Sequence, residues 1–180
     1  FILLITVILI LALLNSSITR TQKRTLLAMG TIIDITIIGN ASDDFDYLFE
    51  KAFQAIEEVE NAMSFFNEES ELSQINHDAK RAPFKIDGEF FDVIEESIKL
   101  SSLTNGAFDI TTAPLLEAWG FYEKEYRVPS REELKKARTK AGYKGIILDK
   151  NQKTIEFTKQ GMLIDLSGIA KGYAVDKAVH

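Results

Sequence analysis

The stretch Leu163-Ile164-Asp165-Leu166-Ser167-Gly168-Ile169-Ala170-Lys171-Gly172-Tyr173-Ala174-Val175-Asp176 decides how the chain is read. Met162 to Leu166 is an apolar run with the composition of a buried strand, and from Gly168 onward the spacing turns helical. A strand that enters a helix through a glycine-containing turn presents backbone N–H groups and the positive end of the helix dipole. Such a place suits an anion or a pyrophosphate, and Lys171 adds a flexible positive charge. The segment is neither a Walker A loop nor a dinucleotide GxGxxG. By itself it fits a phosphate site and a plain strand-to-helix connection equally well.

Working outward, Ile146 to Asp149 and Thr154 to Thr158 read as two strands of a hairpin around Lys150–Lys153. Ser130 and Glu133 form a capping box for a helix that Gly142 closes. A helix beginning near Asp87 points Phe90, Phe91, Ile94, Ile98 and Leu103 inward and ends at Asn105-Gly106. Ser42 is the expected N-cap of a longer helix carrying Phe45, Leu48, Phe49, Ala52, Phe53, Ile56 and Val59 at spacings of three and four. Before it, Leu26 to Ile38 alternates with period two and reads as one half-buried strand. Hairpin-like strands and grouped helices define an α+β fold, not a regular βαβ wind.

The 180 residues suffice for one domain or part of a larger one, and a net charge of −6 without a basic stripe argues against nucleic acid. The absence of cysteine excludes disulfides, thiolate metal sites and a cysteine nucleophile in this chain. Phe1 to Leu14 is almost wholly Ile, Leu and Val, and is followed by a polar, basic stretch containing Arg20, Lys23 and Arg24. The expected organisation is a signal-peptide or membrane-anchor remnant with a basic linker over residues 1–24, then a domain over 25–180. The run fits an envelope-targeting segment, with a buried core element as the alternative. The basic residues just after it point the opposite way under the positive-inside rule.

Two further segments could carry chemistry. Met63 to Asn76 takes a helix into a polar stretch where Phe65 and Phe66 offer a stacking face for a planar ligand, or else pack in the core. Thr104 to Pro114 holds Gly106, where backbone can approach a ligand, and Asp109, which is a cap, a partner of a buried donor or a ligand-reading carboxylate. Pro114 suits the first turn of a helix carrying Leu115, Leu116 and Trp119. His77 and His180 are far apart, so a histidine metal site has no support. Glu57-Glu58, Glu68-Glu69 and Glu95-Glu96 read as solvated faces.

Taken in order, five blocks resemble the signatures of the ApbE family of FAD:protein FMN transferases. They are Met29-Gly30-Thr31, Ser64 to Asn76, Gly106-Ala107-Phe108-Asp109-Ile110-Thr111, Pro114-Leu115-Leu116 to Trp119-Gly120-Phe121, and Ile164 to Ala174. The resemblance implies an ApbE-like, T-fold-related α+β domain, incomplete at its C-terminus, that binds FAD and Mg²⁺ on the extracytoplasmic side of the cell envelope. It implies cleavage of FAD, release of AMP and attachment of FMN to a threonine of a partner. The implied partners are flavin-acceptor subunits of respiratory, ion-pumping complexes, with a membrane contact through the N-terminal apolar segment. FAD hydrolysis and flavin binding without turnover are the alternatives. Carried over by position, Met29, Phe66, Ala107, Phe108 and Asp109 would contact FAD, and Phe66 stands where relatives often carry Tyr. Ser167 and Lys171 would lie by the pyrophosphate, and the carbonyl of Ala170 would be one metal ligand. The family's side-chain metal ligands, an acidic residue and commonly a threonine, belong to a C-terminal half. The catalytic residues are therefore expected outside these 180 residues, and the chain alone is expected not to transfer FMN.

Overall fold

The computed structural model describes residues 5–6, 19–80 and 82–180. These form two compact units, one gathering the described residues up to Glu57 with Asp176–His180, the other running Glu58–Val175. The apolar run, apart from Ile5 and Thr6, lies outside the described residues. Among those described, no helix is long and apolar enough to cross a membrane.

In the first unit, strands β1 (Thr19–Ala28) and β2 (Thr31–Asn40) form an antiparallel hairpin, in register from Thr19 opposite Asn40 to Ala28 opposite Thr31. This corrects the single strand expected over Leu26–Ile38. The chain folds back at Met29-Gly30, where both φ angles are positive, 53° and 67°. A two-residue hairpin turn of this kind needs left-handed backbone at both positions, and glycine meets the second without strain. Methionine at the first is uncommon, which is why the turn is hard to see in the sequence. The alternation itself survives: Ile33, Ile35 and Ile37 are half-buried while Ile32 and Ile38 are exposed.

The basic stretch ending at Arg24 is not all linker, because it enters β1 at Thr19. Its cations have local partners. Lys23 pairs with Asp34 at 2.7 Å, and Arg24 pairs with Asp46 while its guanidinium lies 4.5 Å from the centre of the Phe49 ring. Helix α1 (Phe45–Met63) is capped by Asp44, which accepts from Tyr47 N at 3.1 Å, and not by Ser42. Asp43 is used differently, accepting from Asn40 N at 2.6 Å. Phe45, Phe49, Ala52 and Ile56 are buried, whereas Leu48 is exposed at the edge of the apolar stripe.

In the second unit, α2 (Glu71–Asp78) is capped by Ser70, and α3 (Gly88–Leu103) by Asp87. Leu103 is exposed, contrary to expectation, since it sits in the last turn as the helix leaves the core. A 3₁₀ turn (Ile110–Thr112) leads into α4 (Ala113–Ala118), with Pro114 in its first turn. The capping box of α5 (Arg131–Lys140) is complete in both directions. Glu133 is held down to about 2 by the Ser130 N–H, then by the Ser130 side chain and Arg127. Strands β3 (Phe84–Lys85), β4 (Ile146–Asp149) and β5 (Thr154–Phe157) form an antiparallel sheet in the order β3-β5-β4, and α6 (Ser167–Val179) follows.

Among the described residues Met162 to Leu166 pairs with no strand, which corrects the strand expected there. Met162, Ile164 and Leu166 are fully buried, so the backbone needs partners from elsewhere. Asn76 supplies two of them: its Nδ2 donates to Ile164 O at 2.9 Å, and its Oδ1 accepts from Ile164 N at 2.8 Å. The Asp165 N–H donates to Ile110 O at 2.8 Å. One buried amide side chain thus meets both a backbone N–H and a backbone C=O, as a neighbouring strand would.

Replacing that amide leaves both Ile164 groups unpaired in the core. Asn76→Ala is expected to lower stability by about 2–4 kcal/mol, read as a lower urea midpoint at unchanged slope. A loss below about 0.5 kcal/mol would show that the pair contributes little.

Candidate functional site

The second unit brings three sequence segments together around Asp165–Gly168. Asp165 is buried, with both carboxylate oxygens engaged. Oδ1 accepts from Ser167 N at 2.7 Å and so caps the start of α6. Oδ2 accepts from the Tyr122 hydroxyl at 2.8 Å. The N–H groups of Ile169 and Ala170 both return to Leu166 O. In the first turn of α6, this leaves the Gly168 N–H without a protein partner among the described residues. The free N–H groups expected there reduce to that one donor. Ser167 and Lys171 are exposed one helical turn apart on the same face, while Ala170 and Ala174 are buried on another.

Phe108 reaches this turn as well. A Cβ at Gly168 would lie 3.2 Å from its Cε2, so glycine spares the ring a shift of a few tenths of an ångström at the helix start. The loop carrying Phe108 is braced by its own polar atoms. Thr104 Oγ1 accepts from Phe108 N at 3.1 Å, and Thr104 O accepts from Ala107 N at 3.1 Å, with Ala107 itself exposed. Asp109 caps the 3₁₀ turn. Its Oδ1 accepts from the Thr111 N–H at 2.8 Å and the Thr111 hydroxyl at 2.6 Å, and its Oδ2 accepts from Tyr143 N at 2.9 Å. The fully buried Thr111 hydroxyl in turn accepts from Gly142 N at 2.6 Å. Of the three roles open to Asp109 in the sequence, capping and pairing with a protein donor are the ones seen in this geometry.

The aromatic segment is braced in the same manner. Ser64 Oγ accepts from the N–H groups of Phe66 and Asn67, and the Ser70 hydroxyl donates back to Ser64 O at 2.7 Å. Phe65 stacks on Tyr122 with ring centres 4.0 Å apart and planes 16° from parallel. Phe66 stands edge-on to both rings and is 69% exposed. The face of Phe65 that lies against Tyr122 is covered, and Phe66 carries the exposed ring. Met29, at the hairpin turn of the first unit, is half-buried.

Tyr122 lies outside the sequence blocks, while Asn76, Thr111 and Asp165 stand within them without a role. A polar residue within an apolar run was the available signal for Asp165; Tyr122, one residue past Trp119-Gly120-Phe121, gave none. For a metal, the described residues contain no group of three or more His, Cys, Asp or Glu able to hold an ion. Both oxygens of Asp165 face protein donors, so it does not fit a ligand role in this arrangement. Ala170 offers only a main-chain carbonyl from within a helix.

The fold and site define an α+β domain in which an aromatic cluster and a helix start are joined through one buried carboxylate. Residues 29–180 match the ApbE family, and the chain belongs to it. It is 34% identical over 151 residues to an FAD:protein FMN transferase of Vibrio cholerae, covering 82% of this chain and 45% of that protein. Against the FAD:protein FMN transferase of Haemophilus influenzae it is 30% identical over 159 residues, covering 84% and 46%. Among solved structures, the ApbE protein of Thermotoga maritima superposes with a TM-score of 0.82 at 34% identity, covering 88% of this chain and 51% of that one. The flavin transferase ApbE of Vibrio cholerae gives 0.82 at 31% identity, covering 90% and 53%. The chain therefore spans about half the length of the curated relatives it matches.

Burial, then the Asp165 carboxylate, push the Tyr122 hydroxyl above its ordinary value of 10.0. Because the folded state holds the phenol neutral, its stabilising contribution is complete below that ordinary value and is lost as pH rises past it. Tyr122→Phe is expected to flatten the fall in thermal stability above about pH 10. An identical slope in both proteins would contradict this.

Proposed function

We propose that the protein containing this chain is an FAD:protein FMN transferase. The observation that supports the reading best is the meeting of Phe66, Phe108 and the start of α6 through Tyr122, Asp165 and Gly168. FAD is a planar ring system joined to a pyrophosphate, and these residues offer an exposed ring and, at the start of α6, an N–H donor followed by the Lys171 cation. Phe66, Ala107 and Phe108 are its proposed contacts in the second unit, with Asp109 holding the Ala107–Phe108 loop in shape. Lys171, the Ser167 hydroxyl and the Gly168 N–H take the pyrophosphate oxygens. In the reaction, a threonine hydroxyl oxygen of the acceptor bonds to the FMN phosphorus. The bond from that phosphorus to the bridging oxygen breaks, AMP departs with the electron pair, and the hydroxyl proton is lost.

The Mg²⁺ requirement is part of the proposal for the whole protein. The described residues offer it the Ala170 carbonyl without an acidic cluster, so they do not compose a metal site on their own. The acceptors proposed are flavin-bearing subunits of respiratory, ion-pumping complexes, and the location is the extracytoplasmic side of the envelope.

The test uses the full-length gene product with FAD and an acceptor subunit, with Mg²⁺ or with EDTA. Metal-dependent AMP release with FMN bound to the acceptor is expected. Lys171→Ala is expected to raise the KM for FAD by about tenfold through loss of a charge-assisted contact. Free FMN without protein-bound flavin would make the protein a FAD hydrolase, and tight FAD binding without AMP release would leave a flavin-binding protein.

A further inference from the structure

Tyr122 is given no ligand contact in the reading above, yet three observations meet on it. Its ring lies face to face with Phe65, stands edge-on to Phe66 at 5.9 Å and 77°, and carries a hydroxyl that donates to Asp165 Oδ2 at 2.8 Å. Phe66 has no polar side-chain atom to set its direction. Its described ring contacts are edge-to-face pairs with Phe65, at 6.1 Å and 80°, and with Tyr122. Edge-to-face pairs fix orientation because the positive rim of one ring seeks the negative face of the other. Tyr122 is itself fixed by Asp165, whose second oxygen holds Ser167 N at the first residue of α6. A single short path therefore runs from the exposed ring, through Tyr122 and one carboxylate, to the helix start.

We propose that Tyr122 is a positioning residue that sets the exposed Phe66 ring relative to the start of α6, so that the site selects ligands carrying a planar ring and a phosphate together. The inference rests on the functional reading above. It makes ring binding and phosphate binding cooperative, because each half is held by a group on the same path. A ligand with the ring alone gains little from that alignment, whereas one spanning both halves depends on it. Tyr122→Phe keeps the aromatic stack and removes only the link to Asp165.

The experiment titrates the full-length gene product with FAD and, separately, with riboflavin, which has the ring and no phosphate, following flavin fluorescence. In Tyr122→Phe, FAD affinity is expected to fall about tenfold and riboflavin affinity to change less than about twofold, at a retained circular dichroism spectrum. Asp165→Asn supplies the rescue arm. Its amide still accepts from Ser167 N and donates to the Tyr122 hydroxyl oxygen, so it should weaken FAD less than Tyr122→Phe does. Equal losses for FAD and riboflavin in Tyr122→Phe would reduce Tyr122 to ring packing and overturn the proposal, as would unchanged FAD affinity. If the wild-type protein binds neither flavin, the functional reading itself fails and the inference goes with it.

Discussion

The buried carboxylate of Asp165 is the constraint on which the arrangement of the second unit depends. A charged group removed from water must be met by donors or it is strongly destabilising. Here one donor is the first N–H of α6 and the other is the Tyr122 hydroxyl. Satisfying one side chain therefore fixes a helix start and an aromatic cluster together. Its neighbours carry the same arrangement outward. Asp165 N reaches Ile110 O, which ties in the loop that places Phe108, and Ile164 is held on both sides by Asn76.

That arrangement supplies partners for residues 162–166, which have no strand beside them among the described residues. In a sheet their backbone groups would be satisfied by a neighbouring ladder. Here the Asn76 amide and the Ile110 carbonyl pair with the backbone of Ile164 and Asp165, and the segment runs straight into α6. The same economy recurs around Asp109, whose carboxylate ties the 3₁₀ turn to Tyr143, and around Ser64 and Ser70 beneath the phenylalanines. In each case a short polar side chain fixes an irregular loop that ends in an exposed aromatic or alanine.

Much of this was legible in the sequence where local chemistry decides the outcome. The Ser130–Glu133 capping box, the Pro114 helix start and the hairpin of β4 and β5 follow from caps, turns and periodicity within a few residues. Where contacts distant in sequence decide, the reading failed. Met29 is a poor turn residue, and the hairpin it helps to form is visible only once the two strands are paired. Asn76 and Ile164 are 88 positions apart, and no local pattern marks an amide as a substitute for a strand. The site divides in the same way. Phe66, Phe108, Ser167 and Lys171 are named by the resemblance, whereas Tyr122 emerges only because the fold brings it to Asp165, 43 positions away.

The central claim is that the start of α6, open at the Gly168 N–H and flanked by Phe108, receives the phosphate portion of a flavin nucleotide. The most direct measurement follows backbone amide resonances of the isotopically labelled full-length protein during FAD titration. The account predicts the largest shifts at Gly168 and its neighbours Ser167 and Ile169, accompanied by Phe66 and Ala107. Saturable FAD binding that leaves Gly168 and Ser167 unmoved, with shifts clustered elsewhere, would contradict it.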